Sequence, residues 1–286
     1  MMVETQKSPL WLVAILAMIA IAAFAGNSLL ARAALADGAI EAGAYSAIRL
    51  ASGALVLLPV LGAKPSRADL PGALALAVYV AGFSLAYLEL GAGLGAVILF
   101  GFVQATIIGV GIARGERFGA LGWSGIVLAI AGLLWVLAPW QAAKLGAGSL
   151  LPALLMAAAG IAWGAYTLIG RGSAQMVGGA TGSTARNFLI ASVLVAPMLA
   201  LDSAWPSWWG VSLAALSGIV TSALGYVVWY KVAPKLGLAT AASVQLATPV
   251  VAALGGAVFL SETLTSQVVI GGILIIGGII LSLRKG

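Results

Sequence analysis

The sequence predicts an all-α polytopic membrane protein: ten transmembrane helices, arranged as two five-helix repeats of opposite orientation. Composition, the spacing of apolar runs and an internal repeat lead there. Of 286 residues, 62% are hydrophobic and only 8% charged, where a soluble domain has roughly 45–50% and 25%. Ten apolar runs approach the roughly 20 residues that a membrane-crossing helix needs. Matching residues recur at near-constant offsets of 137 to 146 along the chain.

Eight runs are free of charge: Leu10–Ala31, Leu70–Leu88, Leu90–Ala113, Phe118–Ala143, Leu145–Gly170, Ser203–Tyr230, Leu236–Ser261 and Thr263–Leu283. Two more, Ala42–Ala63 and Gly172–Leu201, are interrupted by one arginine each, Arg49 and Arg186. The first run exceeds the roughly 7–15 apolar residues of a signal peptide. It also has a repeat partner, so it is expected to remain part of the fold.

The net charge of +6 does not point to nucleic acid, because the basic residues stand one or two at a time between apolar runs. They follow membrane topology instead. With the N-terminus in the cytoplasm, the inner segments hold Lys7, Lys64, Arg67, Arg114, Arg117, Arg171, Lys231, Lys235, Arg284 and Lys285, and the outer loops hold Arg32 and Lys144. Both termini are therefore expected in the cytoplasm. The chain has no cysteine and no histidine, which excludes disulfides, thiol chemistry, histidine-ligated metals and a histidine relay. No nucleophile–base pair or metal cluster is legible, so neither an enzyme nor a cofactor or metal site is expected.

The repeat is clearest in two stretches. Gly93-Leu94 recurs as Gly237-Leu238 at an offset of 144, and Glu116, Gly125 and Gly132 recur as Glu262, Gly271 and Gly278 at 146. Asn27 corresponds to Tyr166 at 139, Arg49 to Arg186 at 137, and Gly82-Phe83 to Gly225-Tyr226 at 143. The repeats are residues 9–143 and 145–284. Five is an odd number of helices, so the second copy starts on the opposite face of the membrane. Two inverted halves suit alternating access. The paired glycines of the fifth and tenth helices permit close helix approach, for scaffolding or a homodimer contact.

Candidate site residues follow from the chemistry of polar and aromatic groups in an apolar setting. Tyr79, Phe83 and Tyr87 recur every four residues on one helix face and offer rings for stacking; alternatively they pack or face lipid. Gln104 and Gln245 are amides inside long apolar runs. Hydrocarbon penalises an unpaired amide, so each must face protein, water or substrate. Thr248-Pro249 lies one turn beyond Gln245, where the proline frees a carbonyl for a ligand or a hinge. Trp163 and Tyr166 cluster in the sixth helix, with Asn27 equivalent to Tyr166. Arg49 lies roughly 13 Å into its helix at 1.5 Å per residue. An intramembrane charge marks a functional site by default, but Arg186 repeats it, so both are assigned as structural clamps, with carboxylate binding the alternative. Glu116 and Glu262 stand in turns as helix braces. With no carboxylate at mid-membrane, facilitated transport or exchange is expected, leaving Glu41 and Glu89 for any coupling.

Five plus five helices, WGAY at 163–166, an arginine in the second helix of each half, the GER and SET turns and the paired glycines together resemble the drug/metabolite transporter superfamily. The resemblance is to the EamA-type ten-helix exporters and spans about Pro9 to Leu283. Through FGFVQ at 100–104 the chain is most similar to bacterial aromatic amino-acid exporters. It departs from the family at Phe24-Ala25-Gly26-Asn27, where a Trp-Gly pair is common, and in having Pro249 but no counterpart in the fourth helix. The resemblance implies a multi-pass protein of the bacterial inner membrane that exports amino acids, aromatic or otherwise neutral, and related metabolites. A multidrug or lipophilic-cation proton antiporter of the same fold is the alternative. The partners expected are a small-molecule substrate and the lipid bilayer.

Overall fold

In the computed structural model the residues described are 9–115, 119–137, 150–172, 177–236 and 244–282. Their regular structure is all helical, and they contain no strand. The ten helices are α1 (Leu10–Leu35), α2 (Ala42–Leu57), α3 (Leu70–Ala86), α4 (Ala92–Ala113), α5 (Ala120–Leu137), α6 (Leu151–Gly172), α7 (Gly179–Val195), α8 (Trp208–Leu236), α9 (Ala247–Phe259) and α10 (Ser266–Ser282). Short 3-10 turns extend α2 and α7 and precede α3. Seven helices are long and apolar enough to cross a membrane, and α5, α9 and α10 are shorter apolar helices. The chain is an integral membrane protein. Its outer faces carry exposed Leu, Ile, Val and Trp, as contact with lipid requires rather than contact with water.

The packing pairs the two halves. α5 lies against α10, α4 against α9 and α2 against α7. α3 packs on α6 as α1 packs on α8, α4 on α6 as α1 on α9, and α3 on α7 as α2 on α8. Exchanging each of α1–α5 with the helix five places later returns these same pairs, while α4 also touches α10. The glycines of α5 and α10 serve this internal packing: a Cβ at Gly125 would meet the Gly278 carbonyl, and one at Gly278 the Ala129 amide, both at about 2.5 Å. These residues face each other within one chain.

One element differs from the sequence expectation. α8 continues through Lys231 and Lys235 to Leu236 and widens into a π-helical stretch over Ser217–Leu224. Such stretches are uncommon and re-aim side chains; this one turns three hydroxyls toward α1. Pro249 occupies the first turn of α9. Ahead of it Val244 and Gln245 are helical, and Leu246 is a turn in right-handed helical conformation. A proline lacks the N–H that would bond the carbonyl four residues back, that of Gln245, so the helical path breaks one turn ahead of Pro249.

Candidate functional site

A closed aromatic cage stands at the centre of the molecule. Phe24 and Asn27 of α1, Tyr79 and Phe83 of α3, Leu99 and Phe100 of α4, Trp163 of α6 and Tyr226 of α8 line one cavity. Both halves of the chain contribute. The Trp163 ring lies 4.9 Å from Tyr79, 4.8 Å from Tyr226 and 6.2 Å from Phe24, centroid to centroid, and stacks on Tyr166 at 5.3 Å. The space left between the side chains is ≈ 10 Å³, about the least that admits one water. A substrate would have to part these rings to enter.

The floor of the cage is polar. Asn27 Nδ2 donates to the Thr221 carbonyl at 3.1 Å. Its Oδ1 stands within reach of three hydroxyls of the π-helical stretch: Thr221 at 2.6 Å, Ser217 at 2.9 Å and Ser222 at 3.1 Å. Arg49 Nε donates to Ser222 Oγ at 3.0 Å, and Nη2 to the Tyr79 hydroxyl at 3.1 Å. The guanidinium also lies over the rings of Phe83 and Tyr79, 4.8 and 5.2 Å from their centroids. Arg49 is fully buried. Gly218 makes this junction possible: a Cβ there would collide with the Arg49 carbonyl and Ser52 Oγ.

Of the residues expected from sequence, Tyr79, Phe83, Trp163 and Asn27 meet in the cage wall, and Tyr166 backs Trp163. Tyr87 is buried beneath Phe83, 4.6 Å away ring to ring, and does not face lipid. Gln104, Gln245 and Thr248 lie outside the wall. α4 and α9 run antiparallel, with Gly93 against Ala253 at one end and Phe100 and Gly101 around Leu246 and Pro249 further along. Gln104 lies one turn beyond Phe100 on α4, and Gln245 directly precedes Leu246. All three side chains are buried, and Gln104 Nε2, Gln245 Nε2 and Thr248 Oγ1 have no hydrogen-bond partner among the described residues. Three hydroxyl residues, Ser217, Thr221 and Ser222, were missed from the sequence. Ser217 and Thr221, four apart, share a face of an α-helix, which is the signal that could have found them; Ser222 joins them through the π-helical stretch.

An ion pair stands at each end of the bundle. At one end Arg32 Nε contacts Glu262 Oε1 at 3.2 Å, while Glu262 Oε2 accepts from the Ala92 amide at 2.8 Å. Arg32 Nη1 also donates to the carbonyls of Tyr87 and Leu88. A cleft of ≈ 390 Å³ opens beside this contact. Glu262 therefore braces α4 rather than its own hairpin; Glu116 lies outside the described residues. At the other end Arg186 Nε meets Asp69 Oδ1 at 2.8 Å, and Nη1 donates to the carbonyls of Leu61 and Val177, both at 3.0 Å. Glu41 clasps the loop before α8, accepting from the Ser203 amide, the Ser203 hydroxyl and the Ala204 amide. The Ser203 amide is the main cause holding its carboxyl below the usual glutamate range, with the Ser203 hydroxyl second. Glu89 is exposed.

The sequence profile of the EamA-like transporter family matches residues 150–284. An uncharacterized protein of Pseudomonas aeruginosa is 45% identical over 94% of this chain and 93% of its own length. The threonine/homoserine exporter RhtA of Escherichia coli is 29% identical over 91% of this chain and 87% of its own, and that of Salmonella typhimurium 28% identical over 92% and 88%. A protein solved by crystallography shares the fold, with a TM-score of 0.65 at 19% identity, covering 94% of this chain and 96% of that one. With a whole-length relative, matching exporters and the family's profile on its second half, the chain belongs to the EamA-like transporter family of the drug/metabolite transporter superfamily.

Proposed function

We propose that this protein is a secondary transporter that exports neutral amino acids and related metabolites across the bacterial inner membrane by alternating access. The observation that carries it is the aromatic cage, lined from both halves of the chain and too small for a solute as it stands, with an ion pair at each end of the bundle. A carrier that has closed around its pathway has this form. The exchange-invariant packing of the halves supports an inverted repeat, residues 9–143 and 145–284, whose two arrangements would open one end and then the other. With both termini cytoplasmic, Arg32–Glu262 closes the outer end and Arg186–Asp69 the inner end. Rings around a polar floor suit a zwitterion with an apolar or hydroxylated side chain, and two of the relatives carry the name threonine/homoserine exporter. Gln104, Gln245 and Thr248 lie where an opened pathway between α4 and α9 would wet them.

The test is flux in proteoliposomes holding the purified chain. Labelled threonine, homoserine and phenylalanine are loaded separately, with and without a pH gradient. Saturable amino-acid efflux that falls at least about tenfold in Trp163→Ala is the expected result. A lipophilic cation driven by the pH gradient, with no amino-acid flux, would overturn it in favour of a drug–proton antiporter of the same fold.

A further inference from the structure

Arg49 and Arg186 hold the same place in the two halves: each is the eighth residue of its helix, counted from Ala42 in α2 and from Gly179 in α7. Their surroundings differ in one decisive respect. Arg186 is neutralised by Asp69 and satisfied by two carbonyls. The acidic residue of the corresponding loop in the second half, Asp202, caps α2 instead, accepting from the Gly43 and Ala44 amides at 3.0 and 2.6 Å. Among the described residues every other carboxylate is also engaged elsewhere or remote. Glu262 pairs with Arg32, Glu41 clasps Ser203, and Asp37 and Glu89 are exposed.

Arg49 is thus a fully buried cation without an anion. Nε and Nη2 are bonded to neutral hydroxyls, and Nη1 has no hydrogen-bond partner among the described residues. An unpaired charge inside a low-dielectric interior is kept only when something compensates it. The face-on rings of Tyr79 and Phe83 compensate in part. Both rings also line the cage, and Ser222 links the guanidinium to Asn27 in its floor.

We propose that Arg49 is the anion anchor of the transport site: its free Nη1 edge takes the substrate's carboxylate when the cage opens. This rests on the transport function proposed above and narrows its substrate class to carboxylates. Arginine suits the task because its planar fork meets a carboxylate with two parallel bonds, in a geometry an ammonium cannot supply. The ammonium of an amino acid then falls among Trp163, Tyr226 and Phe24, whose ring faces attract cations. The same fixed charge works against a lipophilic cation, which would enter a cavity already holding an unpaired positive group.

The experiment measures ligand competition and flux on the full-length protein in proteoliposomes. Phenylalanine, phenylalaninamide, phenethylamine and phenylacetate are compared on wild type, Arg49→Lys and Arg49→Gln. The wild-type series needs no mutant to fold. Phenylalanine and phenylacetate should compete at least about tenfold better than the amide and the amine, the order expected for one charge-assisted contact. Arg49→Gln should erase that preference, and Arg49→Lys should restore part of it. Amino-acid flux in which the amide and amine compete as well as phenylalanine would overturn the anchor and leave the exporter standing. Phenylacetate flux that needs Arg49, without amino-acid flux, would uphold the anchor and overturn the amino-acid substrate. Flux only of lipophilic cations would overturn both.

Discussion

Arg186 Nε lies 2.8 Å from Asp69 Oδ1, with both side chains buried, tying α7 to the start of α3. Removing one member of such a pair strands the other charge. Asp69→Ala should therefore destabilise the protein by about 3–5 kcal/mol. The double change Asp69→Leu with Arg186→Met should recover most of that loss. Thermal unfolding of the three variants in detergent, in one buffer, measures both effects. A single variant as stable as wild type would show that the pair is not what holds this end.

The Arg32–Glu262 contact is partly exposed, with side chains 24% and 20% accessible. A pair so placed contributes about 0–1 kcal/mol after solvent screening. Glu262→Gln should leave unfolding nearly unchanged. It also weakens the acceptor that holds the Ala92 amide, so this end of the bundle should open more readily. Labelling of a cysteine placed at Thr265 by a water-soluble thiol reagent should be faster in Glu262→Gln than in the same cysteine variant without it.

Asn27 gathers Ser217, Thr221 and Ser222 around a single oxygen. Asn27→Leu removes that acceptor and leaves buried hydroxyls to find others, at a cost of about 1–3 kcal/mol. Amino-acid flux should fall by more than the loss of folded protein explains, because Ser222 also positions Arg49. Flux per folded molecule, with folding scored by size-exclusion elution, separates the two effects.

Gly218 lets α8 rest directly on the Arg49 backbone. Gly218→Val should force α2 and α8 apart and cost about 1–3 kcal/mol or more, the range for overpacking a tight contact. Transport should be lost together with stability. Unfolding and flux measured on the same preparation check both.

The Glu41 carboxyl titrates below its usual range because Ser203 and Ala204 donate to its ionised form. A depressed carboxylate stabilises the fold above its unfolded-state value, and that contribution disappears as pH falls through the lowered folded value. Wild type should exceed Glu41→Gln in melting temperature near neutral pH, and the two curves should converge in acid. Parallel curves across the range would remove the clasp from the account.

Residue types and spacing were enough to find the helices. Membrane spans must be about 20 apolar residues long, and every backbone group within lipid must be satisfied locally, so hydrophobic runs and helices coincide. The same reading put Tyr79, Phe83, Trp163 and Asn27 forward, because rings and amides within apolar runs are conspicuous. α8 was harder to read. Its π-helical stretch includes Gly218, which seats against α2 in a contact between residues far apart in sequence.

By itself the sequence determined a helical membrane protein with one arginine inside each of two apolar runs, those of α2 and α7. Only the tertiary structure decided that those arginines differ. Asp69 reaches Arg186, whereas Asp202 caps α2 and leaves Arg49 without an anion. The reason is physical: composition and period fix which residues must be buried, but a buried charge takes its role from the partner that three-dimensional packing brings to it. That partner lies 117 residues away for Arg186 and, for Arg49, is absent among the described residues.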